Sequence, residues 1–253
     1  MTLSGKCAIV TGGSRGIGSE VVARLLRDDC FVINLDPARP AAAEGDRAQR
    51  WVEGDVTKKD DRGRALAIAE NHMGALDVLV NNAGISRPGR IEDDDGDEIA
   101  ANVIAVNLLG TISMVGDAMP LMKKSRCGAS IVNISSIGAH VINPAVHPSY
   151  AASKGGQLSL TRYLAAGYAK YGVRCNAVLP GAVRTELWGT LDATTQTLYA
   201  DLHPLGIGEC SDIASLVAFL SSDEAKWLSG AEIVLDGGNL SAGGLAQFSR
   251  KVL

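Results

Sequence analysis

The strongest constraint on the fold is a regular alternation of short apolar segments with segments of helical periodicity. Most of the short segments are continuously apolar, as strands are when helices cover both faces of a parallel sheet. This alternation predicts a doubly wound α/β sheet with right-handed crossovers. The predicted strands are Cys7–Val10, Phe31–Leu35, Arg50–Val52, Leu76–Val80, Ser130–Ile134, Val173–Val178 and Glu232–Leu235.

Five longer segments carry apolar residues at helical spacing. No linker rich in proline or serine divides the 253 residues, so we expect one domain over 1–253. Two segments break the alternation: DPARPAAAEGDRA, expected to be a loop or one turn, and about 186–208, expected to be a lid over the ligand site. The predicted helices are GSEVVARLLR, GRALAIAENH, EIAANVIAVNLLGTISMVGDAM, YAASKGGQLSLTRYLAAGYAKY and SDIASLVAFLS.

Charge and cysteine usage narrow the functional classes. The formal net charge is −4, so we expect no nucleic-acid partner. The five cysteines are scattered without CxxC spacing, which favours small buried side chains in a reducing compartment. The apolar run after Lys6 is too short for a signal peptide, and the longest uncharged span, 127–153, holds no 18-residue apolar run. We therefore expect a cytoplasmic protein without a membrane segment.

The acidic run EDDDGDE, residues 92–98, lacks the ligand spacing of a known calcium loop. Acidic residues at a helix start are favoured by the helix dipole, so we interpret the run as a solvated helix N-terminus and expect no metal site.

A glycine-rich string, TGGSRGIG, follows the first predicted strand and opens the first helix. Glycines there allow a tight turn, and the helix N-terminus offers unpaired N–H groups to a pyrophosphate. The strand before and the helix after make this a dinucleotide cradle of the Rossmann type. The expected binding residues are Gly12, Ser14, Arg15, Gly16, Ile17 and Gly18.

Asp36 ends the second predicted strand, 18 positions after Gly18, at the same sheet edge as the cradle. A carboxylate there can accept hydrogen bonds from the adenosine ribose hydroxyls and repels a 2′-phosphate. Arg15 inside the cradle could instead reach a 2′-phosphate and favour NADP. The sequence favours NAD, because Pro37 follows Asp36 directly and no basic residue lies between Asp36 and Arg39.

Further motifs in order along the chain resemble those of the short-chain dehydrogenase/reductase family, from about Lys6 to Gly238. GDV, with Asp55 and Val56, resembles its adenine contact, and NNAG, with Asn82, Ala83 and Gly84, the segment that lines the cofactor. PGAVRT resembles the turn that holds the nicotinamide amide. The resemblance implies the catalytic residues Asn107, Ser136, Tyr150 and Lys154, with Tyr150, Lys154, Pro180, Gly181, Val183 and Thr185 also at the cofactor.

The chemistry of the tetrad follows from its residue types. Tyr150 and Lys154 lie four positions apart on a predicted helix, so they share one face. A neighbouring ammonium and an oxidised nicotinamide both lower the pKa of a phenol, so Tyr150 can exchange a proton with an alcohol or ketone as hydride is transferred. Ser136 would orient the reacting oxygen, and Asn107 would hold a water that links Lys154 to solvent.

The spacing departs from the family pattern at one point. Ser136 and Tyr150 are 14 positions apart, one more than in most members, so Ser135 remains an alternative to Ser136. His140 and His147 lie in this segment and could border the substrate, although solvent exposure is favoured for both. The 15 residues after Gly238 have no assigned role.

The lid gives the substrate hypothesis. It is rich in apolar and aromatic residues and contains no Lys or Arg, whereas phosphate, CoA or carrier-protein substrates would favour cations there. We expect an apolar secondary alcohol or ketone, including cyclic ones, although these side chains could instead pack only within the protein. Expected substrate residues are Ser136, His140, Val141, Ile142, Leu187, Trp188 and Tyr199.

The sequence therefore predicts an NAD-dependent oxidoreductase that interconverts a hydrophobic secondary alcohol and its ketone. The alternatives are an NADPH-dependent 3-oxoacyl-carrier-protein reductase, favoured by Arg15, and a non-catalytic NAD-binding protein, which an intact tetrad opposes. Family members usually assemble as homotetramers through two long helices. The apolar spacing in 99–119 and 158–171 is compatible with that arrangement, although these faces could also be ordinary core.

Overall fold

The computed structural model describes residues 3–41, 49–143 and 146–243, and for Leu187 the backbone alone. The strands in these ranges are β1 Cys7–Thr11, β2 Phe31–Asp36, β3 Gln49–Glu53, β4 Val78–Asn81, β5 Ala129–Ile134, β6 Val173–Pro180, β7 Val183–Arg184, β8 Gly208–Glu209 and β9 Glu232–Leu235. Seven of them form one parallel sheet in the order β3-β2-β1-β4-β5-β6-β9, and the two short strands β7 and β8 pair separately.

The strand order reverses between the neighbouring strands β1 and β4. The chain segments that follow these two strands therefore run to opposite sides, and they leave a crevice at the carboxyl ends of the strands. Helices connect the strands and cover both faces. They are α1 Gly16–Arg27, α2 Lys59–Met73, α3 Gly96–Ile104, α4 Gly110–Met122, α5 Pro148–Tyr168, α6 Ala193–Leu202, α7 Cys210–Ser221 and α8 Asn239–Ala242.

Each central strand sends alternate side chains to the two faces of the sheet. Cys7 and Ile9 belong to a core with α2, α4 and α5, whereas Ala8 and Val10 belong to a second core with α1 and α7. Burial on both faces explains why these strands are continuously apolar. Four of the cysteines are buried, but Cys127 is exposed, because it lies in the loop before β5.

The predicted doubly wound parallel sheet is confirmed, and each predicted strand overlaps one of its seven strands. Six predicted strands lie within the observed ones, whereas the prediction Leu76–Val80 begins two residues before β4. The helix predicted from the EIAANVIAVNLLGTISMVGDAM pattern is wrong in one respect, because a π-helical segment, Ala105–Leu109, separates α3 from α4. The segment predicted as DPARPAAAEGDRA falls largely on 42–48, outside the described residues, and the tail is described only as far as Gly243.

The combined helix from α3 to α4, Gly96–Met122, is long and apolar enough to cross a membrane by composition alone. Its inner face packs on α2 and α5, as in the core helix of a globular domain. Leu109 and Ile112 remain exposed on it, as does Tyr163 on the neighbouring α5. These are the two helices from which the homotetramer is predicted, and that assembly stays a prediction.

Candidate active site

The glycine-rich cradle lies between β1 and α1, at the reversal of the strand order. Gly12 and Gly16 have positive φ angles of 68° and 54°, a conformation that side chains with a Cβ rarely adopt. A Cβ on Gly18 would lie 2.0 Å from the Gly12 carbonyl oxygen. Within the described chain, no side chain caps the first turn of α1, and that turn has no acidic residue. The cradle therefore fits a pyrophosphate.

Polar side chains from neighbouring strands hold the cradle in place. Asn82 Nδ2 donates to the carbonyl oxygens of Thr11 and Gly12, at 3.1 and 2.8 Å. Buried Asn34 accepts from the Gly13 N–H at 2.9 Å. Asn82 is predicted to line the cofactor, which stays a prediction; the structure shows that its side chain also braces the cradle. Asn34 was not predicted, and its signal was a polar residue inside an otherwise apolar strand.

Asp36 ends β2 beside the cradle and is buried. Its Oδ2 accepts from the Ser14 N–H at 3.0 Å, and its Oδ1 accepts from the Ala38 N–H at 2.8 Å. A carboxylate has about four acceptor positions, so these two bonds fix its orientation and leave capacity for ribose hydroxyls. The guanidinium of Arg39 lies over the Trp51 ring, 5.9 Å from its centroid, while Arg15 is exposed.

The expected adenine contact is held in a tight turn after β3. Asp55 Oδ1 accepts from both the N–H and the hydroxyl of Thr57, at 2.8 Å each, and the Asp55 N–H donates to Asp61. Val56 is buried, and a Cβ on Gly110 would lie 2.8 Å from Val56 Cγ1. The side chain of Val56 therefore packs into the core, and only its backbone remains for an adenine.

Ser136, Tyr150 and Lys154 come together at the carboxyl end of β5. A Cβ on Gly138 would lie 3.2 Å from Ser136 Oγ and 3.3 Å from Tyr150 Cε1, so the two side chains lie on either side of one point. Lys154 Nζ lies 5.7 Å from the Tyr150 ring centroid. Lys154 Nζ donates to the Ile134 carbonyl oxygen at 2.8 Å. The hydroxyl of Ser135 instead donates to the Lys154 backbone oxygen at 3.0 Å. The geometry favours Ser136 over Ser135 as the partner of Tyr150.

Burial governs both titratable groups of this cluster. It raises the pKa of the Tyr150 phenol above its ordinary value, and the hydrogen bond with Ser136 opposes that rise. It lowers the pKa of the Lys154 ammonium to about 8. In the protein alone, the balance at Tyr150 is thus opposite to the lowering expected from the sequence. The additional positive charge of an oxidised nicotinamide would favour the phenolate.

Asn107 is fully buried in the π-helical segment, which the sequence pattern did not predict. Its side-chain amide exchanges two hydrogen bonds with the backbone of Ile85, at 2.8 and 2.9 Å, and Nδ2 also donates to Ser153. A Cβ on Gly84 would lie 3.4 Å from Asn107 Oδ1 and 3.5 Å from Lys154 Nζ. Asn107 therefore joins the NNAG segment to the helix that carries Tyr150.

The PGAVRT turn brings Thr185 to the cradle, because a Cβ on Gly16 would lie 3.4 Å from Thr185 Cγ2. Gly16, Thr185, Glu186 and Cys210 line part of a cleft of about 440 Å³. Pro180 ends β6, and the Gly181 N–H that follows donates to Leu235. Val183 begins β7, which pairs with β8 and positions the turn.

The segment predicted to be a lid, about 186–208, contains a short 3₁₀ turn, Glu186–Thr190, followed by α6. His203 was not predicted, yet it anchors this segment. Its Nε2 accepts from the Ala182 N–H at 3.0 Å, and its Nδ1 therefore donates to the backbone carbonyl oxygen of Tyr199 at 2.6 Å. The sequence signal was weak, since a histidine after a helix has many roles.

The remaining substrate candidates are spread along the site. Trp188 and Tyr199 pack edge to face with ring centroids 6.2 Å apart, and Tyr199 OH accepts from Asn143 Nδ2 at 2.8 Å. Val141 and Ile142 are exposed. His140 Nε2 lies 3.7 Å from Glu232 Oε2. The Leu187 side chain lies outside the described residues.

His147 differs from its expected exposure. It is buried at the start of α5, where its Nδ1 accepts from the Ser149 N–H at 3.3 Å.

In the described ranges, no group of three or more His, Cys, Asp or Glu side chains could hold a metal ion.

Comparison with known proteins decides the family. A family model described as "Enoyl-(Acyl carrier protein) reductase" matches residues 12–239. The chain belongs to the short-chain dehydrogenase/reductase family. As a member of this family, it is an oxidoreductase of the class that uses a nicotinamide cofactor, NAD or NADP.

Individual members of the family cover nearly the whole chain. L-fucose dehydrogenase of Mus musculus is 35% identical, over 93% of this chain and 88% of that protein. The 3-oxoacyl-[acyl-carrier-protein] reductase FabG of Staphylococcus aureus is 34% identical, over 92% of this chain and 97% of that protein. The ligand-free structure of Thermoplasma acidophilum aldohexose dehydrogenase has a TM-score of 0.86 at 35% identity, covering 94% of this chain and 95% of that one.

Proposed function

We propose that this protein is an NAD-dependent dehydrogenase that oxidises a secondary hydroxyl group on an uncharged, ring-shaped substrate and can reduce the corresponding ketone or lactone. The observation that carries the reaction class is the Ser136–Tyr150–Lys154 cluster beside the cradle. Hydride transfer to or from carbon is the chemistry that a bound nicotinamide supplies.

The side chains of the cluster have separate tasks in this reaction. Ser136 donates a hydrogen bond to the substrate oxygen and orients it toward Tyr150. In oxidation, the Tyr150 phenolate accepts the hydroxyl proton while the carbon loses hydride; in reduction, the phenol returns that proton. The Lys154 ammonium stabilises the phenolate across a short distance, and burial strengthens that interaction by lowering the local dielectric response.

The lid supports an uncharged cyclic substrate. Trp188 and Tyr199 offer an aromatic edge, and Asn143 brings an amide to the Tyr199 hydroxyl. Aromatic rings with nearby amides suit a molecule that has both an apolar ring face and hydroxyl groups. Two of the similar proteins carry names that specify sugars, L-fucose and aldohexoses. A neutral aldose is therefore the first substrate class to test, ahead of a purely apolar cyclic alcohol.

The substrate test is NADH formation with matched compounds. Neutral aldoses and cyclic alcohols without further hydroxyl groups would be compared with a 3-oxoacyl thioester assayed for NADPH oxidation. We expect the highest kcat/KM among the aldoses with NAD. A kcat/KM at least ten-fold higher for the thioester with NADPH would instead support the carrier-protein reductase, which the relationship to FabG favours and the lid without Lys or Arg opposes.

The carboxylate of Asp36 is expected to set the cofactor preference. Wild-type protein should bind NADH at least ten-fold more tightly than NADPH, about 1.4 kcal/mol, because a 2′-phosphate would meet a buried negative charge. Asp36→Ser should lose most of that preference. A side-by-side fluorescence titration with the two reduced cofactors measures it without any substrate.

Glu53→Gln is the matched control for Asp36→Ser. Glu53 is the exposed register partner of Asp36 on β3, so its neutralisation removes a nearby charge outside the pocket and should leave the preference unchanged. Tighter NADPH binding by the wild type would refute the NAD assignment and shift the weight to Arg15.

A cytoplasmic homotetramer completes the proposal. The exposed Leu109, Ile112 and Tyr163 on neighbouring helices support an interface between copies of the chain. Light scattering after size-exclusion chromatography would detect it, and a monomer at micromolar concentration would contradict it.

A further inference from the structure

Gln157 lies on α5, three positions after Lys154, and is fully buried. Both ends of its side-chain amide are engaged. Nε2 donates to the Asn107 carbonyl oxygen at 2.8 Å and to Thr111 Oγ1 at 3.2 Å. Oε1 accepts from Lys154 Nζ at 3.4 Å. The opposite orientation of the amide would place NH₂ against an ammonium and oxygen against a carbonyl, so these neighbours determine its orientation.

The contacts of Gln157 include the backbone of Asn107. The Asn107 carbonyl oxygen accepts from Gln157 Nε2 and also from Thr111 Oγ1, at 2.8 Å each. A carbonyl oxygen has two lone pairs, so both are used by side chains. The Gln157 amide thus connects the Asn107 carbonyl in the π-helical segment to the Lys154 ammonium. The water predicted at Asn107 stays a prediction.

Lys154 depends on these acceptors because it is buried. The ammonium donates to the Ile134 carbonyl oxygen and to Gln157 Oε1, and Tyr150 is the titratable group beside it. A charged amine out of water is stable only while oxygen atoms accept its protons. Losing the amide oxygen would leave one acceptor fewer and favour the neutral amine.

We propose that Gln157 is a positioning residue of the active site: its amide ties the Lys154 ammonium to the Asn107 carbonyl and keeps it charged beside Tyr150. This inference rests on the proposed function insofar as Lys154 acts on Tyr150. The direct contact between Gln157 and Lys154 is independent of the substrate.

The first test is the pH dependence of kcat in Gln157→Leu, a substitution of similar volume without the amide. Because less of Lys154 is then charged, the phenolate of Tyr150 is stabilised less and should form only at higher pH. We expect the pH of half-maximal NAD-linked oxidation to rise by about one unit, a tenfold change in the protonation equilibrium. An unchanged pH profile would count against the proposal.

Thr161→Val is the matched control for the kinetic test. Thr161 is also fully buried on α5, and its hydroxyl bonds to the Gln157 backbone oxygen and to Asn133 rather than to Lys154. Its replacement should lower stability without moving the pH profile. An equal shift in both variants would show that any buried polar loss on α5 has this effect and would overturn the specific role of Gln157.

The second test needs no substrate. The pKa of Lys154 is lowered from 10.5 to about 8, so between these values the unfolded chain binds more protons and stability rises with pH. Gln157→Leu should lower the folded-state pKa further. Relative to the wild type, the Gln157→Leu variant should therefore lose more unfolding free energy at pH 6.5 than at pH 9.5. Lys154 is charged at the lower pH and largely neutral at the higher one.

The same comparison in a Lys154→Met background isolates the pair. There the loss caused by Gln157→Leu should be equal at both pH values. A loss independent of pH in the wild-type background would overturn the proposal. If the wild type oxidises no tested alcohol or sugar but the pH-dependent coupling is present, the proposed function fails while the contact between Gln157 and Lys154 stands.

Discussion

Replacing Tyr150 by phenylalanine is expected to lower kcat for NAD-linked oxidation by about 10³-fold, within the range found for removal of a positioned acid or base. The substitution keeps the half-buried ring and deletes only the hydroxyl that meets Ser136. NADH affinity should change by less than about three-fold, because the cradle and Asp36 are untouched. Steady-state kinetics and a cofactor titration on the same preparation measure both effects.

Tyr163→Phe is the control for that experiment. Tyr163 lies on the same helix, 13 positions later, and is 67% exposed, so it tests whether any tyrosine on α5 matters for the rate. Its kcat should equal that of the wild type. Retention of more than a tenth of the activity by Tyr150→Phe would mean that another group transfers the proton, and it would contradict the role given to Tyr150.

The pH profile follows from the same groups. Burial raises the pKa of Tyr150 in the protein alone, so the phenolate needed for oxidation is scarce at neutral pH until the positive charge of an oxidised nicotinamide is added. Oxidation should therefore accelerate as the pH rises, whereas reduction, which needs the phenol, should not. This opposition gives a check on the direction of proton transfer.

The sheet and the cradle could be predicted because their signals are local. Ala8 and Val10 face one helical layer while Cys7 and Ile9 face the other, so burial on both faces produced the unbroken apolar run. The position of Asp36 could be predicted for the same reason, because the carboxyl ends of neighbouring parallel strands meet at one edge. Its bonds to the Ser14 and Ala38 amides could not, because they depend on how the loops fold.

Residues that act through tertiary contacts could not be predicted. Gln157 is a polar residue on an apolar helix face, and only the fold places Asn107, 50 positions away, against its amide. The π-helical segment carries no sequence signature either, because Ala105–Leu109 is apolar at every position except Asn107 and a change of helical phase there leaves no break in the apolar pattern. His203 follows a helix in the sequence like many other histidines, and only the fold brings the Ala182 N–H to its Nε2.

Gly18→Ala should abolish cofactor binding and destabilise the fold. A Cβ at this position would lie 2.0 Å from the Gly12 carbonyl oxygen and 2.5 Å from Asn82 Nδ2. The clash is with backbone, so no side-chain rotation relieves it, and α1 must separate from the end of β1. Overpacking of this kind costs about 1–3 kcal/mol or more. We expect at least a 100-fold loss of NADH affinity together with a lower urea midpoint.

Gly63→Ala separates this specific clash from the general effect of removing a glycine. Gly63 lies in the exposed face of α2, and a Cβ there would meet no atom within 4 Å in the described chain. Alanine is preferred over glycine inside helices by about 1 kcal/mol, so this variant should be at least as stable as the wild type. If Gly18→Ala instead kept wild-type stability and NADH affinity, α1 would not lie against β1 as described, and the cradle would have to bind the pyrophosphate with a different backbone geometry.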